Sequence, residues 1–172
     1  NRERYERAGD FDVRVRVANF TASDAQAKAA LMARESLQTN SRFAGTVTTP
    51  SLAGAFFSYR LSAGGSAANV GSGPTTFPNM WLRLKRGGNT LTGFVSADGS
   101  SWSTLGSITL SNLAPTLYIG MAVTSHKPNE TATAQFRQFS PATDGTTGGL
   151  RLAREPLGPA SRRTGLVISE FF

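Results

Sequence analysis

Residues 10–20, Asp-Phe-Asp-Val-Arg-Val-Arg-Val-Ala-Asn-Phe, alternate with a period of two. Phe11, Val13, Val15 and Val17 fall on one side of an extended chain, and Asp12, Arg14 and Arg16 on the other. A helix turns by about 100° per residue and would scatter this set around its axis, whereas a strand puts all the apolar members on one face. The segment therefore demands a sheet with one face buried, and its β-branched valines suit that pleated surface.

The same reading extends along the chain. Lys28–Glu35, Arg42–Thr49, Gly54–Arg60, Ser66–Val70, Met80–Arg86, Thr90–Ser96, Trp102–Leu110, Leu117–Thr124 and Thr131–Phe139 read as further strands. Turn chemistry separates them: Thr49-Pro50-Ser51, Ala63–Ser66, Gly71–Pro74, Gly87-Gly88-Asn89 and Asp98-Gly99-Ser100. Lys28–Glu35 has helical propensity, but it is short and has strands on both sides, so a strand is expected there. About ten strands with short turns and no convincing helix predict an all-β, antiparallel two-sheet sandwich. Inward positions in that register are Phe11, Val13, Val15, Leu31, Phe57, Leu82, Leu84, Ile119 and Val123.

The texture changes after Ser140. Residues 141–165 form a Gly/Thr-rich and then Arg/Pro-rich stretch expected to be a linker, and Leu166–Phe172 regains strand character. The domain reading is thus a sandwich over 1–140, a linker over 141–165 and an isolated strand over 166–172. That strand is expected to add to a sheet edge of its own sandwich or of a neighbouring copy.

Composition narrows the chemistry. There is no cysteine, which removes disulfides, thiolate metal sites and cysteine nucleophiles. No apolar run approaches the ~20 residues of a membrane helix. The net charge is +7, and residues 1–140 hold 14 basic and 8 acidic groups. These basic residues are dispersed and form no stripe that could follow a phosphate backbone, so nucleic acid is not an expected partner.

The segments Gly9–Val13, Lys28–Arg34, Phe57–Arg60, Trp81–Arg86, Asp98–Trp102 and Tyr118–His126, in that order, resemble the concanavalin-A-like, laminin-G-like lectin and glucanase superfamily. The likeness is greatest to modules of large exported bacterial proteins, including those appended to glycoside hydrolases. It implies a jelly-roll sandwich of two curved sheets. Only Asn1–Ala8 precedes the Gly-Asp-Phe segment, where the family has more strand material. The resemblance therefore implies a sandwich lacking its leading strand or strands, or one completed from outside. Leu166–Phe172 resembles the opening strand of bacterial lamin-tail domains.

Catalytic constellations are thin. Glycosidase chemistry needs two carboxyls flanking the scissile bond, and no strand carries a Glu-x-Asp-x-x-Glu-like motif; Asp10 and Asp12 share a face of one strand, which the resemblance implies is the sheet exterior. His126, the only histidine, has Ser125 and Glu130 nearby in sequence, but there is no Gly-x-Ser-x-Gly elbow, and a loop histidine bonded to backbone is expected. Asp98–Trp102 looks like a shortened Asp-box turn, with Asp98 capping amides and Trp102 packing across the hairpin. Asn19-Phe-Thr21 and Asn129-Glu-Thr131 fit the glycosylation sequon by coincidence in a chain of bacterial character.

What remains is a face. Trp81, Arg83, Arg34, Arg60 and Phe56 alternate outward and, if their strands share one curved sheet, line its concave surface, with His126 at the rim. Aromatic faces stack on sugar rings, and guanidinium groups donate paired hydrogen bonds to hydroxyls or carboxylates. This face and the resemblance together imply a non-catalytic carbohydrate-binding or adhesion module, without cofactor or metal, on what the resemblance suggests is a secreted or cell-surface multidomain protein. The competing readings are a structural spacer or subunit of an extracellular assembly and an accessory domain of a glycoside hydrolase.

Overall fold

A computed structural model of the chain describes residues 5–51 and 53–142, together with the main chain of 151–152. Among the described residues twelve strands run β1 Tyr5–Ala8, β2 Phe11–Ala22, β3 Lys28–Arg34, β4 Phe43–Thr48, β5 Ala55–Arg60, β6 Ala68–Gly73, β7 Met80–Gly87, β8 Thr90–Ser96, β9 Ser103–Thr109, β10 Thr116–Thr124, β11 Ala132–Pro141 and β12 Arg151–Leu152. No helix occurs among the described residues. A seven-stranded sheet (the large sheet) has the order β12-β1-β10-β3-β4-β5-β6, and a five-stranded sheet (the small sheet) has the order β11-β2-β7-β8-β9. Neighbours pair antiparallel throughout, and the two sheets pack face to face as a β-sandwich.

The core is the one that alternation predicts. Phe11, Val13, Val15 and Val17 on β2 meet Leu82 and Leu84 on β7, and all six are buried. Across the sandwich they face Leu31, Phe57, Ile119 and Val123 from the large sheet, which are buried in the same cluster. Burying each of these larger side chains contributes about 1.5–3 kcal/mol. Thr46 is buried on the inner face, and its Oγ1 donates to the Arg83 carbonyl at 2.8 Å, so this hydroxyl links the sheets.

Three local expectations change. The first strand is β1, which pairs with β10 from Tyr5↔Ile119 to Ala8↔Thr116, so the large sheet holds a leading strand that four residues of weak alternation conceal. The second change is in the expected linker: Arg151 and Leu152 pair with Glu6 and Tyr5 at the edge of the large sheet. The third is at Gly71–Pro74, where Gly71 and Gly73 extend β6 instead of forming a loop. A Cβ on Gly71 (φ 77°) would run into the Leu105 main chain, so only glycine permits that approach. Leu166–Phe172, with its expected strand pairing, lies outside the described residues.

Candidate functional site

Alternation correctly separates inward from outward side chains, but it does not say to which sheet a strand belongs. β7 pairs with β2 and β8, whereas β3, β4 and β5 pair with one another. Trp81 and Arg83 therefore lie on the outer face of the small sheet, and Arg34, Phe56 and Arg60 on the outer face of the large sheet. The sandwich core stands between them. The single surface expected from these five residues does not form.

The small-sheet face satisfies itself. Across its strands run the rows Asp12–Lys85–Thr92–Ser107, Arg14–Arg83–Phe94–Thr104 and Arg16–Trp81–Ser96. Arg83 forms a two-pronged ion pair with Asp12, Nε–Oδ1 at 2.7 Å and Nη2–Oδ2 at 2.6 Å. Its guanidinium lies 4.8 Å from the Phe94 ring centroid and 5.4 Å from that of Trp102. The Asp12 hydrogen bonds raise the pKa of Arg83 above its ordinary value. Arg14 covers one side of the Trp81 ring at 5.4 Å and donates to the Gly99 carbonyl at 2.8 Å. Gly99 packs so close that a Cβ there would stand 2.9 Å from the indole Cε2. Trp81 is left 9% exposed. The expected role of Trp81 as a sugar-stacking platform is therefore corrected, since guanidinium and turn already occupy its faces.

The turn beside it is built as the sequence implies. Asp98 Oδ1 accepts from the Ser100 and Ser101 amides at 2.8 and 2.7 Å and from Ser96 Oγ at 2.8 Å. These donors pull the Asp98 pKa down to about 2. A cleft of about 330 Å³ opens next to the turn, with Ser72, Thr76, Ser96, Ser101 and Ser103 in its lining.

His126 does not reach either face. It sits in the β10–β11 loop with φ 67°, and its Nδ1 lies 3.5 Å from Asp24 Oδ1. The expected backbone partner is thus replaced by a carboxylate. The Gln26 amide, followed by His126 and Lys127, holds the Asp24 carboxyl below its ordinary value. Ser23 Oγ bonds to Glu130 and Ser125 Oγ to the Lys127 carbonyl, so among the described residues no hydroxyl is hydrogen-bonded to the imidazole.

The outer face of the large sheet is different. One row across β10, β3, β4 and β5 reads Tyr118–Arg34–Phe43–Arg60, the next Gly120–Met32–Gly45–Ser58 and the next Ala122–Ala30–Val47–Phe56. Small residues thus pave the middle, and aromatic and guanidinium groups stand at one end. Met32, Phe43 and Ala122 form a buried apolar cluster separate from the main core. Gly45 allows this packing, because a Cβ there would come within 2.9 Å of Met32 Cβ. Phe56, Ser58, Arg34 and Tyr118 stay half-buried.

Arg34 and Arg60 flank Phe43, and their main chains are two strand spacings apart, about 10 Å. Arg34 donates to the Ser36 and Gln38 carbonyls at 3.3 and 2.6 Å, and Arg60 to the Thr39 and Ser41 carbonyls at 2.7 and 3.2 Å. Both therefore brace the β3–β4 hairpin loop. The Arg60 guanidinium lies 5.3 Å from the Phe43 ring centroid. Burial, and then the neighbouring Arg60 charge, push the Arg34 guanidinium below its ordinary value. Among the described residues no carboxylate is in ion-pair range of Arg34. Sequence reasoning missed Phe43, Tyr118 and the small-residue floor. Their signal was the cross-strand register, which a single chain read strand by strand does not display.

No family model matches the chain, and no curated protein matches it. Among solved structures, the chain is similar to a functionally unknown protein from Saccharomyces cerevisiae. The TM-score is 0.62 at 18% identity, over 80% of this chain and 71% of that one. That likeness supports the sandwich fold.

Proposed function

We propose that the chain is a non-catalytic binding module, of the concanavalin-A-like kind, on an exported multidomain protein. Its ligand is an acidic carbohydrate held on the outer face of the large sheet. The observation that carries this reading is the row Tyr118–Arg34–Phe43–Arg60, where two guanidiniums repel one another beside aromatic rings. A uronate or sulfate group relieves that repulsion by its charge and by accepting from Arg34 N–H groups beyond those given to the Ser36 and Gln38 carbonyls, while ring C–H groups stack on Phe56 or Tyr118. Oligogalacturonate and a neutral oligosaccharide of equal length, titrated into the protein by calorimetry, test this directly. Binding of the acidic sugar alone, weakened by salt and by Arg34→Gln, supports the reading. Equal binding of both sugars, or of neither, contradicts it. A structural spacer, the competing reading, binds neither.

A further inference from the structure

We infer that the end of the sandwich carrying the β3–β4 and β5–β6 loops rests on an anionic lipid surface, with Leu37 and Leu61 inserted into the headgroup layer and Arg34 against lipid phosphate.

Among the described residues three large apolar side chains are exposed, Leu37 at 46%, Leu61 at 52% and Val70 at 38%. Isolated exposed apolar residues are ordinary on a folded domain, so placement decides whether these carry meaning. Strands β3 and β5 both pair antiparallel with β4 and therefore finish at the same end of the sheet. Leu37 lies in the loop that follows β3, and Leu61 is the first residue after β5. The two loops meet, since the Gly64 amide donates to the Asn40 carbonyl at 2.8 Å. The two most exposed of these side chains thus stand on one joined pair of loops. Arg34 donates to the Ser36 and Gln38 carbonyls on either side of Leu37, at 3.3 and 2.6 Å. An apolar tip braced in this way has little freedom left to lose on insertion.

Charge selects the partner. Residues 34–67 hold Arg34, Arg42 and Arg60 and a single acid, Glu35. The Glu35 carboxylate is taken up by Arg42, Nε–Oε2 at 2.7 Å, and by the Ala114 amide at 3.0 Å. The loops that carry the leucines are therefore net positive. Hydrocarbon insertion would supply adhesion there, and guanidinium hydrogen bonds to phosphate would select an anionic surface. A second copy of the chain could cover the leucines, but a symmetric contact would bring the same positive loops against each other. An anionic bilayer is the better complement.

Sedimentation of the full chain with vesicles tests the docking. Vesicles of equal parts phosphatidylglycerol and phosphatidylcholine are expected to bind about tenfold more tightly than phosphatidylcholine alone. Leu37→Ser combined with Leu61→Ser is expected to weaken that binding about tenfold. Its thermal unfolding and oligogalacturonate affinity should stay native, which separates the docking from the sugar reading, on which it does not rest. The chain has no cysteine, so a bimane label at Leu61→Cys or at Ser51→Cys reports one position alone. Ser51 lies in the β4–β5 turn, at the opposite end of the sheet. On mixed vesicles the emission should shift to the blue at Leu61→Cys and stay unchanged at Ser51→Cys. Equal or absent binding to the two vesicle types, native binding by the double serine variant, or equal shifts at both labels overturns the docking. So does a leucine-dependent dimer that leaves the vesicles unbound.

Discussion

The two outer faces of the sandwich use the same residue types to opposite ends. On the small sheet, Arg83 is matched to Asp12 and two aromatic rings, and Arg14 and Gly99 close over Trp81. On the large sheet, Arg34 and Arg60 stand near each other beside Phe43, and their described hydrogen bonds go to loop carbonyls. An arginine–aromatic cluster is therefore not a site by composition. The small-sheet cluster includes its own carboxylate and is a structural brace, whereas among the described residues no carboxylate is in ion-pair range of Arg34 in the large-sheet cluster.

The faces should part company under mutation, with the shared core as the reference. Phe57 is fully buried between the sheets, and Phe57→Ala should cost about 3–5 kcal/mol in denaturant unfolding, destabilising both faces alike. Trp81→Ala should cost about 2–3 kcal/mol, because a largely covered aromatic is lost, and should leave acidic-sugar affinity unchanged. Asp12→Ala strands a mostly buried guanidinium and should cost about 1.5–3 kcal/mol, again without an effect on binding. Phe56→Ala and Arg34→Gln should do the reverse, each weakening binding about tenfold while stability falls by only about 1 kcal/mol, in Arg34→Gln through loss of its bonds to the Ser36 and Gln38 carbonyls. Loss of sugar binding in Trp81→Ala with native stability would erase the distinction between the faces.

A smaller effect marks the Asp98 turn. Its carboxyl has a folded-state pKa of about 2 against an ordinary value of 3.8. A depressed folded pKa contributes stability that is fully present above the unfolded value and is lost as pH falls through the folded one. The Tm difference between the native chain and Asp98→Asn should thus be constant above about pH 5 and shrink between about pH 4 and 2. A difference that does not change with pH over this window would mean that the amide donors act on shape rather than charge.

Much of the fold was legible because period-two alternation reports burial residue by residue. Phe11 through Val17 and the Leu82–Leu84 pair are in the core where the pattern puts them. Sheet membership was not legible, since two strands with identical alternation can lie in either layer. That gap produced the composite face of Trp81, Arg83, Arg34, Arg60 and Phe56. The site suffered a second loss for the same reason: Phe43 and Tyr118 join Arg34 only through cross-strand register. β1 and β12 escaped notice because strands of four and two residues carry too little alternation to register. His126 was placed in a loop correctly, but its nearest partner, Asp24, is about 100 residues away in sequence and no local pattern links them.

The most direct test of the division between the faces is a titration of the full chain with oligogalacturonate, followed by amide chemical shifts. The account predicts saturable shifts at Arg34, Phe43, Phe56, Arg60 and Tyr118, with Trp81, Arg83 and Phe94 unmoved. Saturable shifts centred on β7 and β8, or no saturable shift at any residue, would contradict it.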